Sequence, residues 1–296
     1  MRVRIGTRGS KLALWQAGLV KDTLEEAGLA TEIVKIETVG DQVQHVPLHE
    51  VGGVGLFTKA LDNALLEHQV DIAVHSAKDI PSVIDDSLEI CAFLEREDPR
   101  DVLLATSEEV SLENLSRSWV VGTSSLRRSA LLKNYFQHVE VKDIRGNVDT
   151  RVEKLKRGEY DAIMLAYAGV KRMGFESLIV QKFNIHSITS AVGQGAIAIM
   201  ASKNYKHTEV IQSILNHKET EQALRCERSF LRTIEGGCKV PVFGYAQVQG
   251  DAISFHGGMA RDDGSEVFRE KVEGSVKEGK ILGERVARVI LNQVNS

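Results

Sequence analysis

Residues 70–79 read Val70-Asp71-Ile72-Ala73-Val74-His75-Ser76-Ala77-Lys78-Asp79, a short apolar run that breaks into a hydroxyl, a cation and a carboxylate. The apolar part is too short for a helix and carries β-branched residues, so Val70 to His75 reads as a strand and the polar part as the loop at its carboxyl end. Upstream, Leu56 to Leu66 has helical spacing, with Phe57, Leu61 and Leu65 on one face. Before it, Glu32 to Val39 alternates on a period of two and reads as a strand. The chain starts the same way: Val3-Arg4-Ile5 is a strand and Thr7-Arg8-Gly9-Ser10 its loop. Ser10 is the N-cap of a helix through Leu12, Trp15, Leu19 and Leu24 that Gly28 closes. Strand, helix, strand in this order predicts βαβ units and a mostly parallel sheet.

Downstream, Arg96-Glu97-Asp98-Pro99-Arg100-Asp101 interrupts the pattern with dense charge around a proline and reads as a crossing between domains. The rhythm then resumes. Trp119-Val120-Val121 leads into Gly122-Thr123-Ser124-Ser125 and a helix from Leu126 to Tyr135. Val139-Glu140-Val141 leads into Arg145-Gly146-Asn147 and a helix from Thr150 to Arg157. Ala162-Ile163-Met164-Leu165 is a further strand, followed by a short helix through Val170. The two α/β lobes show no sequence repeat. Ala191 to Ala201 is apolar and β-like, and its return to the first sheet would give two crossings and a hinge. Beyond it come a helix from Glu219 to Ile234 and strands Val240–Gln249, Ala252–Ala260 and Glu266–Glu273, with turns at Gly250-Asp251 and Asp262-Asp263-Gly264. A closing helix presents Ile281, Val286, Val289 and Ile290. The expected division is 1–95 with 190–215 as a first α/β lobe, 96–189 as a second, and 216–296 as a small α+β domain.

The 296 residues carry 37 Lys+Arg against 41 Asp+Glu, a net charge of -4, and the aromatic content is 5%. Neither the charge nor the aromatics suit a phosphate-tracking or base-stacking surface, so no nucleic-acid partner is expected. Cys91, Cys226 and Cys238 are odd in number and widely spaced, which suits reduced thiols in a cytoplasmic protein rather than a disulfide framework. No apolar run follows Arg2 and Arg4, and no stretch approaches a membrane span. His45 and His49, around Pro47, read as a solvated loop, so no metal is expected.

Chemistry gathers at strand ends. Ligands of open α/β sheets bind beyond the carboxyl ends of strands, where helix N-termini and loop amides converge. Here those positions hold Thr7-Arg8-Gly9-Ser10, Ser76-Ala77-Lys78-Asp79, Thr123-Ser124-Ser125-Leu126-Arg127-Arg128, and Arg145-Gly146-Asn147 with Arg151. Hydroxyls and amides at a helix start favour an anion, and guanidinium adds bidentate recognition of carboxylate or phosphate. Without a P-loop lysine, a polycarboxylate fits as well as a phosphate. Asp79 among these cations is placed to stabilise positive charge or manage a proton. Cys238, in Glu235-Gly236-Gly237-Cys238-Lys239, is the cysteine placed like a reactive thiol; Cys91 and Cys226 read as packing. These residues leave three readings open: an enzyme of anionic substrates, a non-catalytic binder of a small anion, and a cysteine-dependent hydrolase.

Taken together, GTRGSKLALWQA, VGGVGLFTKAL, DIAVHSAKD, REDPRD, VGTSSLRR, IRGNVDTR, AVGQGA and EGGCKVP occur in the order found in hydroxymethylbilane synthases, also called porphobilinogen deaminases, and the chain resembles that family over nearly its whole length. The resemblance implies two lobes like those of type II periplasmic binding proteins, joined by a hinge, plus a small C-terminal α+β domain. It implies a monomeric transferase of tetrapyrrole biosynthesis that joins four porphobilinogen molecules head to tail, with loss of ammonia, into hydroxymethylbilane. The primer would be a dipyrromethane cofactor attached to Cys238 through a thioether. Asp79 matches the family's catalytic aspartate. Lys78, Thr123, Ser124, Ser125, Arg127, Arg128, Arg145 and Gly146 match cofactor-binding positions, and Arg8, Ser10, Arg151, Arg172 and Gln194 substrate-binding ones. Two departures stand out: Val54 where the family usually has Lys, and Ala60 where it usually has Glu.

Overall fold

The computed structural model describes residues 2–38, 58–113, 118–234 and 240–295. His45, His49, Val54 and Cys238 lie outside the described residues. In chain order, the elements run β1 (Arg2–Thr7), α1 (Lys11–Glu26), β2 (Ala30–Lys35), α2 (Lys59–Leu66), β3 (Ile72–Ser76), β4 (Leu88–Phe93) and β5 (Asp101–Ala105). There follow β6 (Val120–Gly122), α3 (Leu126–Tyr135), β7 (Glu140–Lys142), α4 (Val148–Lys156), β8 (Ala162–Ala166), α5 (Tyr167–Arg172) and β9 (Ile179–Lys182). The remainder is β10 (Ile197–Ser202), α6 (Thr208–Leu215), α7 (Lys218–Thr233), β11 (Val242–Gln249), β12 (Ala252–Ala260), β13 (Val267–Ser275) and α8 (Gly279–Asn295). They divide into two compact units, Met1–Glu97 with Ala196–Gln222, and Asp98–Gly195 with Ala223–Ser296.

The first unit holds a sheet of order β2-β1-β3-β10-β4. β1 runs parallel to β2 and β3, whereas β10 runs antiparallel to β3 and β4, so four of the five strands share one direction and β10 alone is reversed, which makes the mostly parallel sheet a mixed one. β10 arrives from far along the chain, so no βαβ crossover obliges it to run parallel to its neighbours. β2 stops at Lys35, short of the strand to Val39 that alternation suggests. Val3, Ile5, Val20, Leu24, Ile72, Val74 and Ile199 form the core between sheet and α1.

The second unit repeats that order with different strands, β7-β6-β8-β5-β9. β6 is parallel to β7 and β8, and β5 is antiparallel to β8 and β9. β5 takes up the last residue of the charge run, and all five of its residues are buried. The same unit contains the antiparallel sheet β11-β12-β13, whose hairpins turn at Gly250 and Gly264, both in the left-handed region. α7 and α8 cover this sheet through Phe230, Phe255, Val286 and Ile290. The buried face of α8 is Leu282, Gly283, Val286, Ala287 and Ile290, and the helix is rotated so that Ile281 is 65% exposed. Gly283 explains the rotation: a Cβ there would collide with the Cys226 carbonyl of α7, so the glycine is where the helices meet. Among the described residues, no helix is long and apolar enough to cross a membrane.

Candidate active site

In the first unit, β1 and β3 are adjacent and parallel, so their carboxyl-terminal loops emerge side by side. Ser10 caps α1, its hydroxyl accepting the Ala13 N–H at 3.2 Å. The buried Gln16 of α1 donates to Ser76 Oγ at 2.9 Å and so ties this helix to the end of β3. Directly after Ser76, the chain enters a 3-10 turn, Ala77–Asp79, which the Ala196 carbonyl holds by accepting the Ala77 N–H. Lys78 and Asp79 are exposed on this turn, and Arg8 is half-buried at the end of β1. Arg8, Ser10, Lys78 and Asp79 thus share one end of one sheet. Beneath them, burial, aided by Arg8, pushes His75 down to about 4, and its Nε2 is buried without a hydrogen-bond partner.

In the second unit, the loops after β6 and β7 are fastened to each other. Ser124 Oγ donates to the Ile144 carbonyl at 2.8 Å and accepts the Ile144 N–H at 3.0 Å. Thr123 is buried and its Oγ1 accepts the Ser125 N–H, and Ser125 caps α3 by accepting from Arg128 N–H. All three hydroxyls therefore hold the loop in shape. Gly146, at φ 110°, carries the β7 loop through a conformation closed to other residues, and its Cβ would press on Thr150. Arg151 Nε donates to the Gly146 carbonyl at 2.7 Å, and Lys154 Nζ to the Arg145 carbonyl at 3.1 Å. Arg172, at the end of α5, donates to the Gly195 carbonyl at 2.8 Å.

Arg127 and Arg128 occupy the second and third positions of α3, where the helix dipole opposes cations. Both are buried, and the carboxylate that answers them is Asp101, fully buried at the start of β5. Arg127 Nη1 lies 2.7 Å from Asp101 Oδ2 and Arg128 Nη2 2.8 Å from Oδ1. Burial alone would raise Asp101, but the two guanidiniums outweigh it and hold the carboxyl well below the usual carboxylate range. Gln194, also buried, donates to Asp101 Oδ1 at 2.9 Å and to the Pro99 carbonyl at 2.7 Å. So the adjacent Arg127 and Arg128, and Gln194 far from them in sequence, meet on a residue within the charge run expected to cross between domains. The signal was present in the two arginines at a helix start, which require an anion nearby.

A second carboxylate went unread. Glu227 of α7 is fully buried and accepts the Gly193 N–H at 2.7 Å and the Ala246 N–H at 2.8 Å. It fixes the loop that presents Gln194. Nothing local in the sequence separates it from Glu219 and Glu221, the other acids of α7. Cys91 and Cys226 are free and buried, and burial pushes both thiols up to about 12, as suits packing rather than reactivity. The donors at the second unit's strand ends (amides, capped hydroxyls, and guanidiniums outnumbering their carboxylate) suit a ligand bearing carboxylates.

Comparison with known proteins gives this chemistry a family. A model described as "Porphobilinogen deaminase, dipyromethane cofactor binding domain" matches residues 3–210, and one for the porphobilinogen deaminase C-terminal domain matches 221–292. The porphobilinogen deaminase of Desulfosudis oleivorans is 42% identical over 293 residues, covering 98% of this chain and 94% of that protein. That of Syntrophomonas wolfei is 44% identical over 293 residues, covering 98% of this chain and 95% of that protein. Among solved structures, a Salmonella typhimurium periplasmic binding protein of high arginine specificity aligns at 10% identity and a TM-score of 0.40, over 72% of this chain and 91% of that one. With family models over both parts of its length and relatives of this identity from end to end, the chain belongs to the porphobilinogen deaminase family.

Proposed function

We propose that this chain is a hydroxymethylbilane synthase of tetrapyrrole biosynthesis, joining four porphobilinogen molecules head to tail with release of ammonia, and that Cys238 carries its dipyrromethane cofactor. The observation that carries the site assignment is the first turn of α3, where two buried guanidiniums face one carboxylate and leave a positive helix end for an acidic ligand. When bound, the dipyrromethane supplies a pyrrole carbon nucleophile. Thr123, Ser124 and Ser125 shape the loop at which Arg127 and Arg128 would receive its carboxylates, with Arg145 and Gly146 in the loop after the adjacent β7; Lys78, in the first unit, is assigned to the cofactor as well. Arg8, Ser10, Arg151, Arg172 and Gln194 are assigned to the acetate and propionate groups of the incoming substrate and growing chain. Asp79 is assigned to stabilise the positive charge that develops on substrate pyrrole nitrogens as ammonia leaves. Residues 216–296 are the module that brings the cofactor thiol. The free, buried Cys91 and Cys226 support a cytoplasmic setting, and the acidic composition supports action without nucleic acid; the working unit is a monomer.

Intact mass of the purified protein is the direct test. An excess equal to two linked pyrrole rings, lost in Cys238→Ser, is expected; an unmodified mass in turning-over enzyme would sink the assignment. Asp79→Asn is expected to keep the mass excess and lose turnover about 100-fold or more. Wild-type turnover in that variant would remove Asp79 from the chemistry.

A further inference from the structure

We infer that Asp101, braced by Gln194, is a positioning residue that sets the two guanidiniums of α3 for carboxylate binding; the inference rests on the reading of Arg127 and Arg128 as cofactor contacts. Arg128 is held on three sides. Its Nε and Nη2 donate to Asp101 Oδ1 at 3.0 and 2.8 Å, and its Nη1 donates to the Met164 carbonyl at 3.1 Å. Gln194 closes the triangle: its Nε2 donates to the same Oδ1, and its Oε1 accepts Arg128 Nη2 at 3.3 Å. Arg127 is held more loosely. Its Nη1 donates to the Thr189 carbonyl at 2.7 Å and approaches Asp101 Oδ2 as an ion pair rather than an aligned hydrogen bond, while its buried Nε–H has no partner. One guanidinium is thus locked by the carboxylate and the other is aimed by it with donor capacity in reserve.

Charge supports the same division of labour. Two buried cations on one buried anion leave one net positive charge, enough to attract a carboxylate without the repulsion of an uncompensated arginine pair. Asn at position 101 would keep size and one carbonyl acceptor but remove that compensation. Arg127 would lose its ion pair, and Arg128 would keep an acceptor for its Nε and Nη2 but lose the negative charge on it.

The experiment reads cofactor occupancy, by intact mass, in protein expressed and purified identically. Asp101→Asn is expected to lower the loaded fraction about tenfold or more, consistent with loss of hydrogen bonds to a charged group. Gln194→Met, which removes one brace without changing charge, should give a smaller loss in the same direction. Each substitution is also made in the Cys238→Ser background, where unchanged circular dichroism and thermal midpoint separate positioning from folding. If Asp101→Asn unfolds there, Gln194→Met decides. Arg127→Gln is the control on the underlying reading: wild-type occupancy in that variant would show that the arginines do not hold the cofactor. Loss of occupancy in Arg127→Gln, with wild-type occupancy in Asp101→Asn and Gln194→Met, would overturn the positioning role alone.

Discussion

Replacing Glu227 by Gln changes one oxygen for one nitrogen at a fully buried site. Glu227 is fully buried, and its two oxygens each accept one backbone N–H, from Gly193 at 2.7 Å and from Ala246 at 2.8 Å. Glutamine keeps one acceptor and turns its NH2 toward the other N–H, donor against donor. A hydrogen bond to a charged group contributes about 1.5–3 kcal/mol, and leaving a buried N–H unmet costs a similar amount. With relaxation, a net loss of about 3 kcal/mol is expected at this contact, which corresponds to roughly a hundredfold in an opening equilibrium. A chain of several sheets need not unfold in one step, so a global midpoint would blur the effect. Native-state hydrogen exchange reads it locally. The Gly193 or Ala246 amide should exchange about 100-fold faster in Glu227→Gln, and the loosening should reach the Gln194 amide, which bonds the Ala191 carbonyl within the same turn. If both the Gly193 and Ala246 amides keep wild-type protection, Glu227 does not hold this loop.

Three further outcomes follow from the packing and titration. His75 takes its proton only near pH 4 when folded but near 6.5 when unfolded, so the unfolded state binds more protons in between; stability is full above about pH 6.5 and falls by up to about 3 kcal/mol as pH drops toward 4. Thermal midpoints should therefore fall less between pH 7 and 4.5 in His75→Leu than in wild type, and equal slopes would refute the assignment. Gly283→Ala presses a methyl onto a backbone carbonyl that cannot swing aside and should cost about 1–3 kcal/mol, read as a midpoint several degrees lower; an unchanged midpoint would mean that α7 and α8 have slack. Ser10→Ala removes the cap of α1 at a cost of about 1 kcal/mol, which faster amide exchange at Ala13 would report and unchanged exchange would contradict.

What could be read from sequence alone divides by the range of the interaction. α3 begins and ends where its cap and spacing place it, and β12 spans the residues its flanking turns define, because capping and turn chemistry are decided within a few residues. The strand ends bearing Arg8, Lys78, Asp79 and the Thr123–Arg128 loop follow from the same local rules. β5 and β9 were not legible: β5 hides behind the charges around Pro99, and β9 is four residues of ordinary alternation. The sense of β10 depends on which strands it meets, and the buried face of α8 depends on Gly283 meeting Cys226 across space. Asp101 and Glu227 look in the sequence like any solvated acid; only the fold shows that each has its partners far along the chain.

The two mixed sheets make a controlled comparison of why Asp101 is there. In both, a first strand leads through a short polar loop to a serine-capped helix: β1 to Ser10 and α1, β6 to Ser125 and α3. In both, a strand from elsewhere in the chain lies antiparallel against the third strand, β10 on β3 and β5 on β8. Its first residue pairs with the third strand's last: Ile197 with Ser76 in one sheet, Asp101 with Ala166 in the other. The backbone requirement at the two positions is therefore the same, and an apolar residue meets it in the first sheet. The first helical turns differ. α1 opens with Lys11, Leu12 and Ala13, its one cation exposed, whereas α3 buries two guanidiniums against the dipole. A carboxylate stands at the equivalent strand start only where buried cations need it. Its cost of burial is accepted for charge placement, since the scaffold itself is built without it in the other sheet.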